Sequence, residues 1–344
     1  GAPQQATARL ASPDPAACPL AEPEVADLRA AWLARLADLN TCSQRGLVER
    51  FDSTIGAASV TVPFGGLRRR TPIEAMVAKF PVLGGETRTA SAMSQAFFPA
   101  LSRWSPFHGA VWAHVQAAAR LVATGADHRK LRYTLQEYFG RLGEDPARWG
   151  LPAAALLGAL HAELALETPA IGGKDSMSGT FKDLDVPPTL VAFAVGVVQA
   201  DQVATPELKA PGHDLVLVDL PRTAEALPDW AALHATYARI AALVRGGKVA
   251  ALRTVAMDGL AAALSQMAFG NAVGFELEER APAFWLAPRP GAFVLELDPA
   301  AGVDLSGLAV TRLGRTIAEP VFRIGSMTLD LFEAERAWEA PLEP

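Results

Sequence analysis

Apolar positions recur at helical spacing in several stretches of the chain. From Glu24 onward, Val25, Leu28, Trp32, Leu36 and Leu39 follow one another at intervals of three and four, which predicts a helix. "GAVWAHVQAAARLVATG", Gly109 to Gly125, predicts a second helix, stopped by its glycine. "AAALLGALHAELALE", Ala153 to Glu167, predicts a third. Between the first two, "ASVTVPFGG" alternates and is rich in β-branched residues, so it predicts a strand ending near Pro63. "PPTLVAFAVGVV" is nearly continuous in apolar residues, as a buried strand would be. A second unit begins near Thr205. In it "HDLVLVDLP", "KVAALRTVA", "GAFVLELD" and "VTRLGRTIAE" predict strands. "WAALHATYARIAALVRGG" and "DGLAAALSQMAFGN" predict helices, the latter with Asp258 as its cap and Gly270 at its end. Strands and helices mix without a strict βαβ rhythm. The expectation is α+β, in two sandwiches.

Length and composition agree with two units. The 344 residues exceed one ordinary core, and half of them are hydrophobic against a fifth charged. A net charge of -6 argues against a general nucleic-acid binder, and Arg68 to Arg70 reads as a solvated turn. No uninterrupted apolar run of about 18 residues is present, so no membrane span is expected. The first residues lack the pattern of a signal peptide, and Cys18 and Cys42 have neither disulfide nor metal-ligand spacing. A cytoplasmic protein fits these features. Residues 1–22, rich in Ala and Pro, read as a flexible tail or linker. The remainder divides into units at 23–204 and 205–332, with 333–344 as a further linker. An initial glycine in place of methionine suggests a piece of a longer chain.

The chemistry concentrates in "AIGGKDSMSGTF", Ala170 to Phe181, read as a loop. It lacks the spacing of a P-loop and of a dinucleotide-binding turn. Its residue types still suit phosphate. Glycines let backbone N–H groups approach an anion, Lys174 supplies a positive charge, and Ser176 and Ser178 can donate to phosphate oxygens. Asp175 would repel phosphate unless a hard cation lay between them, and Mg²⁺ is commonly held by one or two carboxylates plus phosphate oxygens. The loop therefore reads as a Mg-nucleotide site or, more plainly, as a polar turn built on Asp and Ser.

"PAIGGKDSMSGTFKDLDVPPTLVAFAV", together with "LNTCSQRGLVERFDSTIGA" and "YTLQEYFGRLG", resembles the phosphoribosylformylglycinamidine synthase family, over roughly Leu36 to the C-terminus. The likeness is to the second of the two synthetase repeats of the long, single-chain form, which are similar to aminoimidazole ribonucleotide synthetase. The resemblance implies a two-subdomain ATP-binding fold, a sheet-plus-helices subdomain followed by an α/β sandwich. It implies ATP or ADP and Mg²⁺ as cofactors. Asp52 and Asp175 match metal ligands, and Phe51, Lys174, Ser176 and Ser178 match positions beside the nucleotide. The implied reaction is the ATP-dependent conversion of formylglycinamide ribonucleotide and glutamine to the amidine, in purine biosynthesis.

The family's helix carrying a Glu and an Asn at the metal reads "HVQAAARLVATG" here, with Gln116 the polar residue near that place. No catalytic residue is assigned in this chain. The family's catalytic histidine belongs to the first repeat, and His108, His114, His128 and His161 read as structural. Cys42 lacks the setting of a glutaminase nucleophile. The closing "WEAPLEP" resembles the sequence that precedes the family's glutaminase domain. Partners implied are thus the first repeat, the glutaminase domain, or a second copy forming a homodimer, with neither nucleic acid nor membrane. The rival expectation is a non-catalytic structural repeat holding a structural nucleotide or none. A third is a free-standing small-molecule kinase of the same superfamily.

Overall fold

The computed structural model describes residues 7–51 and 58–342. After α1 (Leu28–Leu36), capped by the Asp27 side chain, and the short α2 (Arg45–Val48), a two-residue ladder pairs β1 (Phe64–Gly65) with β2 (Thr71–Pro72). The expected strand over "ASVTVPFGG" is therefore mostly absent. Residues 58–63 form a single isolated bridge, Ser59 to Ala78, with backbone bonds from Val60 and Thr61 N–H to the Val77 carbonyl and from Lys79 N–H to the Ala58 carbonyl.

The first sheet comprises β3 (Met76–Lys79), β4 (Thr89–Ala96), β5 (Arg132–Tyr138), β6 (Ala170–Lys174) and β9 (Thr189–Gln199), in the order β3-β4-β9-β5-β6. A small hairpin, β7 (Thr180–Phe181) with β8 (Leu184–Asp185), lies between β6 and β9 in the chain. All pairs in the sheet are antiparallel except β5 with the edge strand β6. One face carries Ala90, Ala92, Ala192 and Ala194, all buried. Such small side chains let α4 (Pro106–Ala123), itself rich in alanine, settle closely on the sheet. The other face presents Met93 and Val197 to solvent.

α4 starts at Pro106 rather than Gly109. Ser105 accepts the His108 N–H, and proline suits the first turn, where its missing donor is not needed. The short α3 (Pro99–Trp104) precedes it, and α5 (Pro146–Leu166) packs beside it. α5 begins seven residues earlier than the apolar spacing indicates, because Asp145 caps it and Pro146 opens it. The two helices approach so closely that a Cβ at Gly158 would lie 2.2 Å from the Phe107 carbonyl oxygen. α5 is also the one described helix long and apolar enough to cross a bilayer by length and composition. Here one of its faces is taken up by α4, whereas Leu156, Leu160 and Leu164 are exposed.

The second sheet holds β10 (Asp214–Val218), β11 (Ala251–Val255), β12 (Gly274–Leu277), β13 (Ala292–Leu297), β14 (Val310–Ile317), β15 (Val321–Ile324) and β16 (Met327–Asp330). Their order is β11-β13-β10-β14-β12-β15-β16, antiparallel apart from β12 with β15. Its two faces serve different cores. Val216, Val218, Phe293 and Leu295 join α6 (Trp230–Arg245) and, continuously, the α4 core of the first sheet. Leu215, Leu217, Val255 and Val294 join α7 (Gly259–Phe269), the short α8 (Pro282–Leu286), α1 and α9 (Leu331–Glu339). One apolar core thus lies between the two sheets, and a second lies on the far face of the second sheet.

Both segments read as linkers differ from expectation. Residues 7–22 lie along the helices: Arg9 N–H donates to the Pro146 carbonyl, Trp104 Nε1–H donates to the Asp14 carbonyl, and Leu20 is buried. Residues 331–339 form α9, whose Trp338 is buried with its indole N–H on the Thr41 carbonyl. Neither segment has a continuous apolar run. A few large side chains anchor each one.

Candidate functional site

β6 opens the stretch read as a loop. Its register against β5 pairs Leu135 with Gly173 and Gln136 with Lys174, after an irregularity at Tyr133. Gly173 is needed for that pairing: a Cβ there would sit 2.7 Å from the Leu135 carbonyl oxygen. Its absence of a side chain serves strand approach here. Beyond Lys174 the chain zips onto the end of β5. Ser176 N–H donates to the Glu137 carbonyl (3.1 Å), Phe139 N–H to the Ser176 carbonyl (2.9 Å), and Gly179 N–H to the Phe139 carbonyl (3.0 Å).

These bonds gather Lys174, Asp175, Ser176 and Ser178 at one end of the sheet. The two serine hydroxyls lie 3.1 Å apart, and the Lys174 ammonium sits 5.4 Å from the centre of the Tyr138 ring. Lys174, Asp175 and Ser178 are exposed. Phe51 closes a turn after α2 through its N–H to the Val48 carbonyl, with an exposed ring. Asp52 lies outside the described residues, so the expected two-aspartate site is not assembled from them. Among the described residues no group of three or more His, Cys, Asp or Glu is placed to hold a metal.

One residue that pattern reading missed stands beside Asp175. Glu137, on the helix-covered face of β5, is only 5% exposed, and its Oε1 has no hydrogen-bond partner. Burial, with the added charge of Asp175, pushes its carboxyl up to about 7. A buried carboxylate with a bare oxygen next to a second carboxylate is a donor set suited to a hard cation, so the residues present fit Mg²⁺.

Gln116 takes no part in this site. Its Nε2 donates to Thr254 Oγ1 (2.9 Å) and its Oε1 accepts the Gly291 N–H (2.9 Å). Thr254 Oγ1–H in turn donates to Glu74 Oε2 (2.6 Å), and Arg253 Nη1 lies 3.4 Å from Glu74 Oε1. Gln116 therefore belongs to a buried polar seam between the sheets. Asp258 does not cap α7 with its side chain, contrary to expectation. It is half-buried, and desolvation lifts its pKa against the opposing charge of Arg253.

No protein-family model matches the chain. Among curated relatives, the phosphoribosylformylglycinamidine synthase subunit PurL of Thermus thermophilus is 27% identical over 335 residues, covering 89% of this chain and 44% of that one. The chain thus spans about half the length of the curated relatives it matches. Phosphoribosylformylglycinamidine synthase II of Thermotoga maritima superposes with a TM-score of 0.70 at 14% identity, over 93% of this chain and 53% of the other. Structures of that organism's PurL complexed with ATP and with FGAR each give 0.67, at 14% and 13% identity. Thiamine monophosphate kinase of Aquifex aeolicus gives 0.51 at 11% identity, over 71% and 91% of the two chains. In sequence the chain is similar to the PurL subunits of phosphoribosylformylglycinamidine synthase, and it shares their fold.

Proposed function

We propose that this chain is the second synthetase-like section of a phosphoribosylformylglycinamidine synthase and binds a Mg-nucleotide at the 174–178 loop. The observation that carries the reading is buried Glu137, with a bare Oε1 and within the field of Asp175, at the end of the strand that the loop bearing Lys174 and two hydroxyls zips onto. Asp175 and Glu137, with Asp52 from outside the described residues, would hold the ion. When bound, Mg²⁺ supplies neutralisation of phosphate charge. Lys174 would pair with a phosphate and Ser176 and Ser178 would donate to its oxygens, orienting it along the end of β5. Phe51 would lie beside the base.

In the whole enzyme, ATP would activate the formyl amide of formylglycinamide ribonucleotide and ammonia from glutamine would displace phosphate. The first repeat and the glutaminase domain would supply the other parts of the reaction, so this section alone would be inactive. Its setting would be cytoplasmic, and its two subdomains would divide near residue 205.

Titration calorimetry of ADP with and without Mg²⁺ tests the site. Wild type is expected to bind in a Mg²⁺-dependent way, and Asp175→Asn to lose about tenfold in affinity, roughly 1.4 kcal/mol. Equal, Mg²⁺-independent binding by both proteins would refute the assignment. The engagement of Gln116 in the seam favours a second reading, a structural repeat that holds its nucleotide without turnover. Bound ADP that survives repeated dilution would support that version.

The open face of the first sheet, with Met93 and Val197 exposed, supports pairing with the missing repeat or with a second copy. Light scattering should show a dimer that Val197→Lys converts to monomer. A strict monomer at high concentration would refute self-association.

A further inference from the structure

A closed ring of hydrogen bonds lies at the far end of the 174–178 loop. After Gly179 the chain turns through the hairpin of β7 and β8, which pairs Thr180 with Asp185 and Phe181 with Leu184. Both apolar members are exposed, Phe181 at 73% and Leu184 at 71%. A hairpin of two-residue strands with no apolar face to bury does not hold itself together in water. Asp185 holds it. Its Oδ1 accepts from the Thr180 hydroxyl, and its Oδ2 accepts from Arg148 Nη2–H, in the first turn of α5. Thr180 Oγ1 in turn accepts the Arg141 N–H (2.7 Å), and Arg148 Nη1–H donates to the Arg141 carbonyl. The bonds return to their starting point.

Gly140 admits the carboxylate to this ring. A Cβ there would lie 2.7 Å from Asp185 Oδ1 and 3.2 Å from Thr180 Oγ1. Hydrogen bonds from Thr180 and then from Arg148 hold the Asp185 carboxyl below the usual carboxylate range, which keeps it charged at neutral pH. An ion pair whose members are 38% and 37% exposed adds little stability by itself. What the ring secures is position. Thr180 follows Gly179 and Asp185 precedes Val186, and the Val186 N–H donates to the Gly179 carbonyl (2.8 Å). The Gly179 N–H is on Phe139, so the ring braces both flanks of the peptide that ends the loop. Met177 packs on the small core that contains Phe139 and Leu142, whereas Ser178 is exposed and takes its place from Gly179 beside it.

We propose that Asp185 is a positioning residue for the nucleotide loop: through Thr180 and Arg148 it fixes the end of the loop to β5 and α5, so that Ser178 is in place before a phosphate arrives. The proposal rests on the nucleotide reading given above. Asp185 itself touches no ligand. Its effect is read in affinity, because a loop that the ligand must first order draws on the binding energy, whereas one already ordered does not. Thr180 is the member through which the effect passes, since its hydroxyl is both donor to Asp185 and acceptor from Arg141.

ADP with Mg²⁺ is titrated calorimetrically into the whole chain and its variants. Asp185→Ala, and Thr180→Val, which keeps the shape and deletes the hydroxyl, should each weaken binding about five- to tenfold. Thr180→Ser keeps the hydroxyl and should bind within about twofold of wild type. The double variant Thr180→Val, Asp185→Ala should bind no more weakly than Asp185→Ala, because a ring opened once is open. Amide hydrogen exchange of the ligand-free proteins separates a loosened loop from a weakened fold. In Asp185→Ala the Gly179 and Val186 amides should exchange about tenfold faster or more, while the amides of α4 keep their protection. Equal ADP affinity in wild type and Asp185→Ala would overturn the proposal. So would a loss that Thr180→Ser shares, or exchange at Gly179 that does not change. Failure of the wild type itself to bind ADP with Mg²⁺ is a different result: it would overturn the nucleotide reading, and faster exchange at Gly179 would then leave Asp185 a structural clamp and nothing more.

Discussion

Replacing Arg253 by leucine is expected to cost about 3–5 kcal/mol of folding free energy. The guanidinium is almost wholly buried in the seam between the sheets. It donates to the Pro72 carbonyl (2.8 Å), bonds the Gln266 side chain, and lies 3.4 Å from Glu74 Oε1. Glu74 accepts one further bond, from Thr254, on its other oxygen. Leucine would fill much of the volume and leave Glu74 as a buried carboxylate with one neutral hydrogen bond. That stranded charge accounts for most of the cost, since intact buried pairs gain little over apolar replacements while broken ones lose heavily. The double variant Arg253→Leu, Glu74→Gln should therefore be more stable than the single one. Urea unfolding measures both. If single and double variants agree within about 0.5 kcal/mol, packing rather than charge sets the loss.

Glu137→Gln should instead stabilise the ligand-free protein at alkaline pH. Glu137 holds its proton to about 7 in the fold, against 4.5 for an ordinary glutamate. Between those values the folded chain binds more protons than the unfolded one, so stability falls as pH rises from 4.5 through 7. The amide removes that penalty. At pH 5 the two proteins should differ little. At pH 8 the variant should lead by about 2 kcal/mol, below the full linkage value because water reaches the neighbouring Asp175. With Mg²⁺ and ADP the order should reverse, because a ligand carboxylate is lost. Denaturant melts at both pH values decide the matter, and parallel pH profiles for the two proteins would remove Glu137 from the site.

These residues also mark what the sequence could and could not reveal. Helices α4 to α7 and strands β9, β10 and β13 were legible because their apolar spacing is long and regular. β6 was not, because "AIGGK" is an exposed, glycine-rich edge whose extended form is imposed by β5. The start of α5 was obscured by prolines and a glycine, although Asp145 followed by Pro146 is a start signal in its own right. At the site, Lys174, Asp175 and the serines announced themselves as a run. Glu137 did not: a lone acid in an alternating strand reads as solvated, and only the β5–β6 register brings it to Asp175. Asp185 is more obscure still, since Arg148 lies 37 positions away and no local pattern links them.

Trp32 of α1 lies with its indole N–H on Ser265 Oγ (2.8 Å) and its ring within 6.4 Å of those of Phe275, Trp285 and Phe322. Trp338 of α9 completes the same core against Phe269. α1 therefore has little surface to bury until α7, with Ser265 233 positions further on, has been made. At about 5–20 residues per second, that is a wait of roughly 12–47 s with a tryptophan-bearing stripe uncovered. The second sheet imposes the same delay, since β12 is flanked by strands that are both synthesised after it. Folding of this half consequently waits for its later strands and helices. A chaperone that holds nascent chains near Trp32 should raise the yield of soluble protein more than one that acts after release.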